Sequence, residues 1–311
     1  MPAATRAPAP PLTRVPRPPR GSGRRRGSAW PYLLIAPAVV SGVLLLLYPL
    51  FRAGVISFQH FRMGELIRGG ATFVGLDNYG ELLAGHEFWT VLLRTAGWTA
   101  VNVVLIVGLS TGVAVMLLRL GRRMRVALMS ALALAWATPI IAATTVFQWL
   151  FQSELGIVNW LLDMRGYSWF ANGTAMFAIL VVLVVWQSVP FAALTLYAGL
   201  TTIPVELFES ARIDGGTGRQ IFAKVVFPIL RPMFALVTSL EVIWVFKCFP
   251  QIWVLSQGGP DGATTTLPVY AFKVARVLHR YDLGSAVAVV TVVILAVALV
   301  TNLRRMLRQE S

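Results

Sequence analysis

Residues 203–228, IPVELFESARIDGGTGRQIFAKVVFP, are the longest amphipathic, charge-bearing segment lying between two long apolar runs. Their punctuation predicts two short helices joined by a tight corner. Pro204 suits the first position of a helix, where its missing N–H would have had no partner. Glu206 and Glu209 fall in the first turns, where the helix dipole favours negative charge. Asp214-Gly215-Gly216 predicts the stop, because glycine enters the left-handed conformation without a Cβ penalty. Thr217 and Gln220 have capping-box spacing for a second helix, expected to end at Phe227-Pro228. On the water face of a membrane protein, such a corner suits docking to a partner better than crossing a bilayer.

Outward from this segment the chain is strongly apolar. Of 311 residues, 57% are hydrophobic and 13% charged, and the mean hydropathy is +0.70. Apolar runs of about twenty residues recur, the length that crosses a hydrocarbon core about 30 Å thick. The reading is an all-α polytopic membrane protein with six spans, near 30–57, 89–118, 126–151, 174–196, 233–255 and 284–303. Pro139 is expected to kink the third. Residues 30–57 are too long for the apolar part of a signal peptide and run on through Pro49 and Arg52, so they read as an uncleaved first helix.

The formal charge of +14 invites a nucleic-acid partner, but its placement argues against one. Six spans put 18 of the 27 basic residues inside and 6 outside, as the positive-inside rule requires. Both chain ends and residues 203–228 then lie in the cytoplasm. Residues 1–29 hold seven arginines, seven prolines and no acid, and read as a disordered basic tail. Arg24-Arg25-Arg26 would fix topology and attract anionic membrane lipid weakly. Residues 304–311 read as a short cytoplasmic end. Cys248 has no second cysteine to pair with and reads as a small buried hydrophobe.

No energy source is evident within the chain. A phosphate-cradling Walker A loop needs Gly-Lys before Ser or Thr, and none of Lys224, Lys247 and Lys273 follows a glycine. No metal-ligating or catalytic set stands out, so no cofactor and no enzyme activity are expected of this polypeptide. An ion-coupled secondary carrier, the alternative reading, would hold acids or histidines inside its spans. Only Glu241 of thirteen acids falls in a predicted span, and His60, His86 and His279 all fall outside.

At the corner, Glu209-Ser210-Ala211, three residues, Gly215, nine residues, Val225, one residue, Phe227 and Pro228 resemble the EAA loop of ABC-importer permeases, E-A-A-x3-G-x9-I-x-L-P. Ser210, Val225 and Phe227 depart conservatively from that pattern; Glu209, Ala211, Gly215 and Pro228 match it. Gly75-Leu76-Asp77-Asn78-Tyr79, Gly156-Ile157-Val158-Asn159 and Gly258-Gly259-Pro260 are also family-like, and the resemblance covers about residues 32–303. It is strongest for the carbohydrate-uptake type, similar to the first permease of maltose-like and glycerol-phosphate-like systems. The resemblance implies the MetI-like fold, a second permease subunit, an extracytoplasmic solute-binding protein and a dimer of ATP-binding subunits holding ATP-Mg. It also implies that Glu209, Ala211 and Gly215, with Ser210 and Asp214 in the same turn and Pro228 beyond, form the helix that seats in the ATPase.

For the solute path, Glu241, Trp244 and Cys248 have spacings that would share a helical face, with Lys247 about 120° away. A charge in hydrocarbon costs roughly 2.5–3.5 kcal/mol on insertion scales, so Glu241 and Lys247 should face protein or water. Trp244, Phe249 and Trp253 could wall a cavity that stacks sugar rings; the plainer reading is a polar contact between helices with ordinary aromatics around it. Arg94 stands where the family more often has Asn and is expected to snorkel to the outer interface. Asn172-Gly173-Thr174 fits a glycosylation sequon without meaning in a bacterial membrane, and Gly258-Gly259-Pro260 reads as a structural turn.

Overall fold

In the computed structural model, which describes residues 30–310, the chain divides into two units, 1–49 and 50–311. The basic tail read at residues 1–29 lies outside the described residues. In the first unit α1 (Trp30–Gly42) passes into a π-helical turn at Val43–Leu47, after which α2 (Tyr48–Ile56) begins. Leu33–Ile56 is apolar enough to span a membrane, and its apolar window has no buried residue.

The second unit opens with a feature the all-α reading did not contain. Two short antiparallel strands, β1 (Gln59–His60) and β2 (Thr72–Phe73), flank α3 (Met63–Arg68). Then come α4 (Asp77–Ala84) and α5 (His86–Arg119), which reaches 34 residues with no proline to interrupt it. The third predicted span is two helices, α6 (Arg122–Trp136) and α7 (Ile140–Leu150), meeting at 96°. The kink expected at Pro139 is therefore a full break. Pro139 has ψ 135° and caps α7, since its ring bars it from continuing the preceding helix. Among the described residues five helices are long and apolar enough to cross alone, and the bent pair supplies a sixth crossing if it counts as one span.

After the short α8 (Ile157–Leu161) comes α9 (Gly173–Leu200), apolar on all sides and the most deeply buried span. Asn172 starts it: its Oδ1 accepts from the backbone N–H of Thr174 and Ala175 at 3.0 Å each, so the sequon-like triplet is a helix cap. The corner follows as α10 (Val205–Ile213) and α11 (Gly218–Ile221). The second corner helix does not end at Phe227-Pro228. It passes through a π-helical turn, Phe222–Val226, into α12 (Phe227–Phe246). Pro228 lacks the N–H that would reach Lys224, and the wider turn just before it absorbs that loss without a break.

The fifth predicted span instead interrupts at residues 247–249, between α12 and α13 (Pro250–Ser256). Helix α14 (Leu267–Arg276) and α15 (Tyr281–Glu310) complete the chain, so the helix carries on through the residues read as a C-terminal end.

Along α5 the buried residues Val91, Thr95, Trp98, Asn102, Ile106, Ser110, Ala114 and Leu117 recur every three or four positions, one continuous stripe. That stripe packs on α9 and α12 around Trp98, Ile106, Leu180, Leu196 and Val237. Where α9 meets α12, a Cβ on Gly199 would overlap the Met233 sulfur, so glycine sets their approach. A second core joins Leu82, Phe88, Phe246, Leu267 and Val287, linking α4 and α5 to α14 and α15.

Candidate docking site and solute path

The corner is closed by a Schellman motif. The N–H of Gly216 donates to the Ala211 carbonyl at 2.9 Å, and that of Gly215 to Arg212 at 3.0 Å. Gly215 sits at φ +77°, in the left-handed region its lack of a Cβ permits. Gly216 is constrained differently: an added Cβ would come 2.6 Å from the Ala211 carbonyl oxygen. Pro204, with ψ 136°, is the N-cap of α10 and not its first helical residue. Thr217 caps α11 as expected, donating its N–H to Gln220 Oε1 at 2.8 Å while its hydroxyl accepts from the Gln220 N–H at 3.4 Å.

Glu209, Ser210, Asp214 and Gly215 are all exposed on this corner, and Ile213 is 86% exposed. Ala211 is half-buried, packed toward the core. Two clefts flank the corner. One, of about 340 Å³, is lined by Ala211, Asp214, Gly215, Gln220 and Lys224. The other, of about 650 Å³, is largely apolar, with Arg119, Glu209 and Arg212 among its lining residues. Pro228 stands apart, inside the continuous helix.

Arg125, which sequence reasoning counted only as an inside charge, holds the neighbouring turn. Its Nε donates to the Leu117 carbonyl at 2.9 Å and its Nη2 to that of Leu120 at 2.8 Å, satisfying the last carbonyls of α5. A basic residue just past a long helix was the available signal.

Of the five residues read for the solute path, Glu241 and Trp244 lie on α12, Lys247 and Phe249 in the break after it, and Trp253 on α13. Glu241 is fully buried in α12. Trp244 lies against Phe191, ring centroids 5.0 Å apart. Lys247 is exposed at the break, and neither it nor Glu241 belongs to an ion pair among the described residues. Phe249 and Trp253 stack at 5.8 Å and both touch Phe272. Cys248 lies beyond the end of α12, so the face it was expected to share with Glu241 does not exist. Its thiol donates to Gln251 Oε1 at 3.2 Å, and Gln251 Nε2 donates to Gln187 Oε1 on α9 at 3.0 Å.

Around Glu241 the sequence concealed a polar contact between helices. Trp98 Nε1 donates to the Val245 carbonyl at 3.2 Å. One turn along each helix stand Asn102 and Glu241, both fully buried. Among the described residues the Asn102 Oδ1 and both Glu241 oxygens lack a hydrogen bond of good geometry, and the Ser188 hydroxyl of α9 faces the carboxylate.

The other family-like phrases are structural. Asn78 Nδ2 donates to the Ser57 and Gln59 carbonyls, both at 2.9 Å, and Tyr79 hydroxyl pairs with Ser57 Oγ at 2.7 Å, fixing α4 against the end of α2. Asn159 bridges the Ser153 and Tyr167 carbonyls. In the Gly258-Gly259-Pro260 turn, Thr265 Oγ1 donates to Gly258 at 3.0 Å and Thr264 Oγ1 to Gly259 at 2.9 Å. Arg94 is half-buried and donates to the Thr265 carbonyl at 3.3 Å, where snorkelling to the interface had been expected. Its neighbour Thr95 accepts from the Leu267 N–H at 2.9 Å, capping α14 from another helix.

Comparison with known proteins agrees with this anatomy. Residues 104–310 match the family model described as binding-protein-dependent transport system inner membrane component. The chain is 46% identical over 292 residues to the diacetylchitobiose uptake system permease protein DasB of Streptomyces coelicolor, covering 92% of this chain and 89% of that one. It is 31% identical to the trehalose/maltose transport system permease protein MalF of Thermococcus litoralis, covering 85% and 88%. A crystal structure of a bacterial ABC transporter involved in the import of the acidic polysaccharide alginate has the same fold, with TM-score 0.75 at 17% identity over 90% of this chain and 96% of that one. The chain belongs to the binding-protein-dependent inner membrane components, the permeases of ABC importers, and is a multi-pass membrane protein. That membership sets aside the ion-coupled carrier.

Proposed function

We propose that this permease forms, with a second and non-identical permease, the path for a sugar or related solute delivered by an extracytoplasmic binding protein. A dimer of ATP-binding subunits on the cytoplasmic side, holding ATP-Mg, supplies the energy. Both chain ends lie on that side. The observation that carries the reading is the exposed Schellman-closed corner whose second helix runs unbroken into α12. Glu209, Ser210, Ala211, Asp214 and Gly215 meet the ATPase, and closure of the ATPase pair moves α12. The names of the relatives, diacetylchitobiose and trehalose/maltose systems, support an oligosaccharide as cargo.

Glu241 is the proposed polar contact on the path, with Trp244, Lys247, Phe249 and Trp253 as its walls. Its carboxylate oxygens accept hydroxyl donors when the helices part. The test is reconstitution of the intact complex with its binding protein and labelled sugar. Glu209→Lys is expected to insert normally while ATP hydrolysis no longer drives uptake. Wild-type uptake in that variant sinks the docking assignment.

A further inference from the structure

We propose that the larger cleft beside the corner binds one anionic phospholipid of the inner leaflet, with an acyl chain in the cleft and the phosphate between Arg119 and Arg212. The proposal rests on the corner facing the cytoplasm and does not depend on the cargo. The cleft holds about 650 Å³, within the roughly 300–1,000 Å³ of small-ligand sites. Its walls include Val115, Leu200, Phe208, Ile221 and Phe222, contributed by the ends of α5 and α9, the corner and the π turn. Those helix ends mark where hydrocarbon gives way to headgroups, the level at which arginine presents its charge and buries its stem.

The charge pattern selects the occupant. Arg119 and Arg212 both line the cleft, and neither forms an ion pair or a side-chain hydrogen bond among the described residues. Glu209 also lines it but pairs with neither, which leaves a net positive cleft over an apolar floor. The Arg119 guanidinium is placed against the corner: its Nη2 lies 3.7 Å from where a Cβ on Gly218 would stand. A positive head over an apolar slot at a leaflet boundary matches an amphiphile with a phosphate, not a soluble anion.

The intact complex, held in nanodiscs of equal phosphatidylglycerol and phosphatidylcholine, is extracted into detergent and weighed by native mass spectrometry. The wild type is expected to retain phosphatidylglycerol over phosphatidylcholine. Arg119→Gln with Arg212→Gln is expected to lower that retention about tenfold or more. Arg122→Gln with Arg123→Gln, which alters charges outside the cleft, is expected to leave it unchanged. Arg119→Gln alone, off the corner helix, gives the reading if the double variant loses its ATPase. Equal retention in the cleft variants and the control, or full displacement by millimolar glycerol phosphate, overturns the proposal.

Discussion

The indole N–H of Trp98 donates to the Val245 carbonyl at 3.2 Å, joining α5 to α12 near the end of α12. Val245 lies in the last turn of that helix, and its carbonyl accepts the Cys248 N–H at 3.1 Å as well as the indole. Trp98 is 1% exposed, so the bond is made where no water competes for it. Trp98→Phe removes the donor and one of the two fused rings, leaving a void in the core where Trp98 packs on Phe177. It is expected to cost about 2 kcal/mol, read as a lower thermal midpoint of the purified complex. Trp160→Phe, at a residue 64% exposed, is expected to leave the midpoint unmoved.

Arg125 satisfies the end of α5 with charge-assisted bonds to Leu117 and Leu120. Arg125→Met keeps the stem and removes the donors, at an expected cost of about 2 kcal/mol. Amide exchange over residues 115–121 should accelerate, while Arg122→Met, one turn nearer the helix start, should change nothing there.

The corner separates two kinds of glycine. At Gly215 the demand is positive φ, so Gly215→Asn should retain much of the ATP-driven uptake and Gly215→Val should lose it. At Gly216 the demand is space beside the Ala211 carbonyl, so even Gly216→Ala should weaken ATPase co-purification. Equal behaviour of Asn and Val at position 215 would contradict this account.

Away from the corner, Arg280 donates to both oxygens of Glu81, at 2.8 and 2.7 Å, and its Nε to Asp282 at 3.2 Å. The Arg280 bonds hold the Glu81 carboxyl below its ordinary value, against a smaller opposing effect of burial. A lowered carboxylate stabilises the fold at neutral pH, and the gain is lost as pH falls through that lowered value. Glu81 is half exposed, so the contribution is small. Thermal midpoints of wild type and Glu81→Gln should differ at pH 7 and converge toward pH 3.

The corner was legible because its signals are local. Thr217 with Gln220, and Gly215 after a helix, each specify backbone geometry within four residues. The break at Pro139 was legible in place and underestimated in size, since a proline fixes where a helix fails but neighbours decide the angle. The run through Phe227-Pro228 was misread because a π turn can absorb a proline that would otherwise end a helix. Trp98 on Val245, Thr95 on Leu267 and the two-arginine cleft were illegible. Each joins residues from different helices, and one sequence carries no trace of such pairings.

From Gly218 to Phe246 the backbone has no non-helical residue, which at 1.5 Å per residue makes a rod roughly 43 Å long. That exceeds the hydrocarbon thickness of about 30 Å. In the proposed coupling, a shove at the elbow travels along this helix, past the π turn and Pro232, to the first non-helical residues, Lys247, Cys248 and Phe249. On that proposal the far end of the stroke falls at the helix break beside the Phe249–Trp253 stack, a membrane's width from where the push begins.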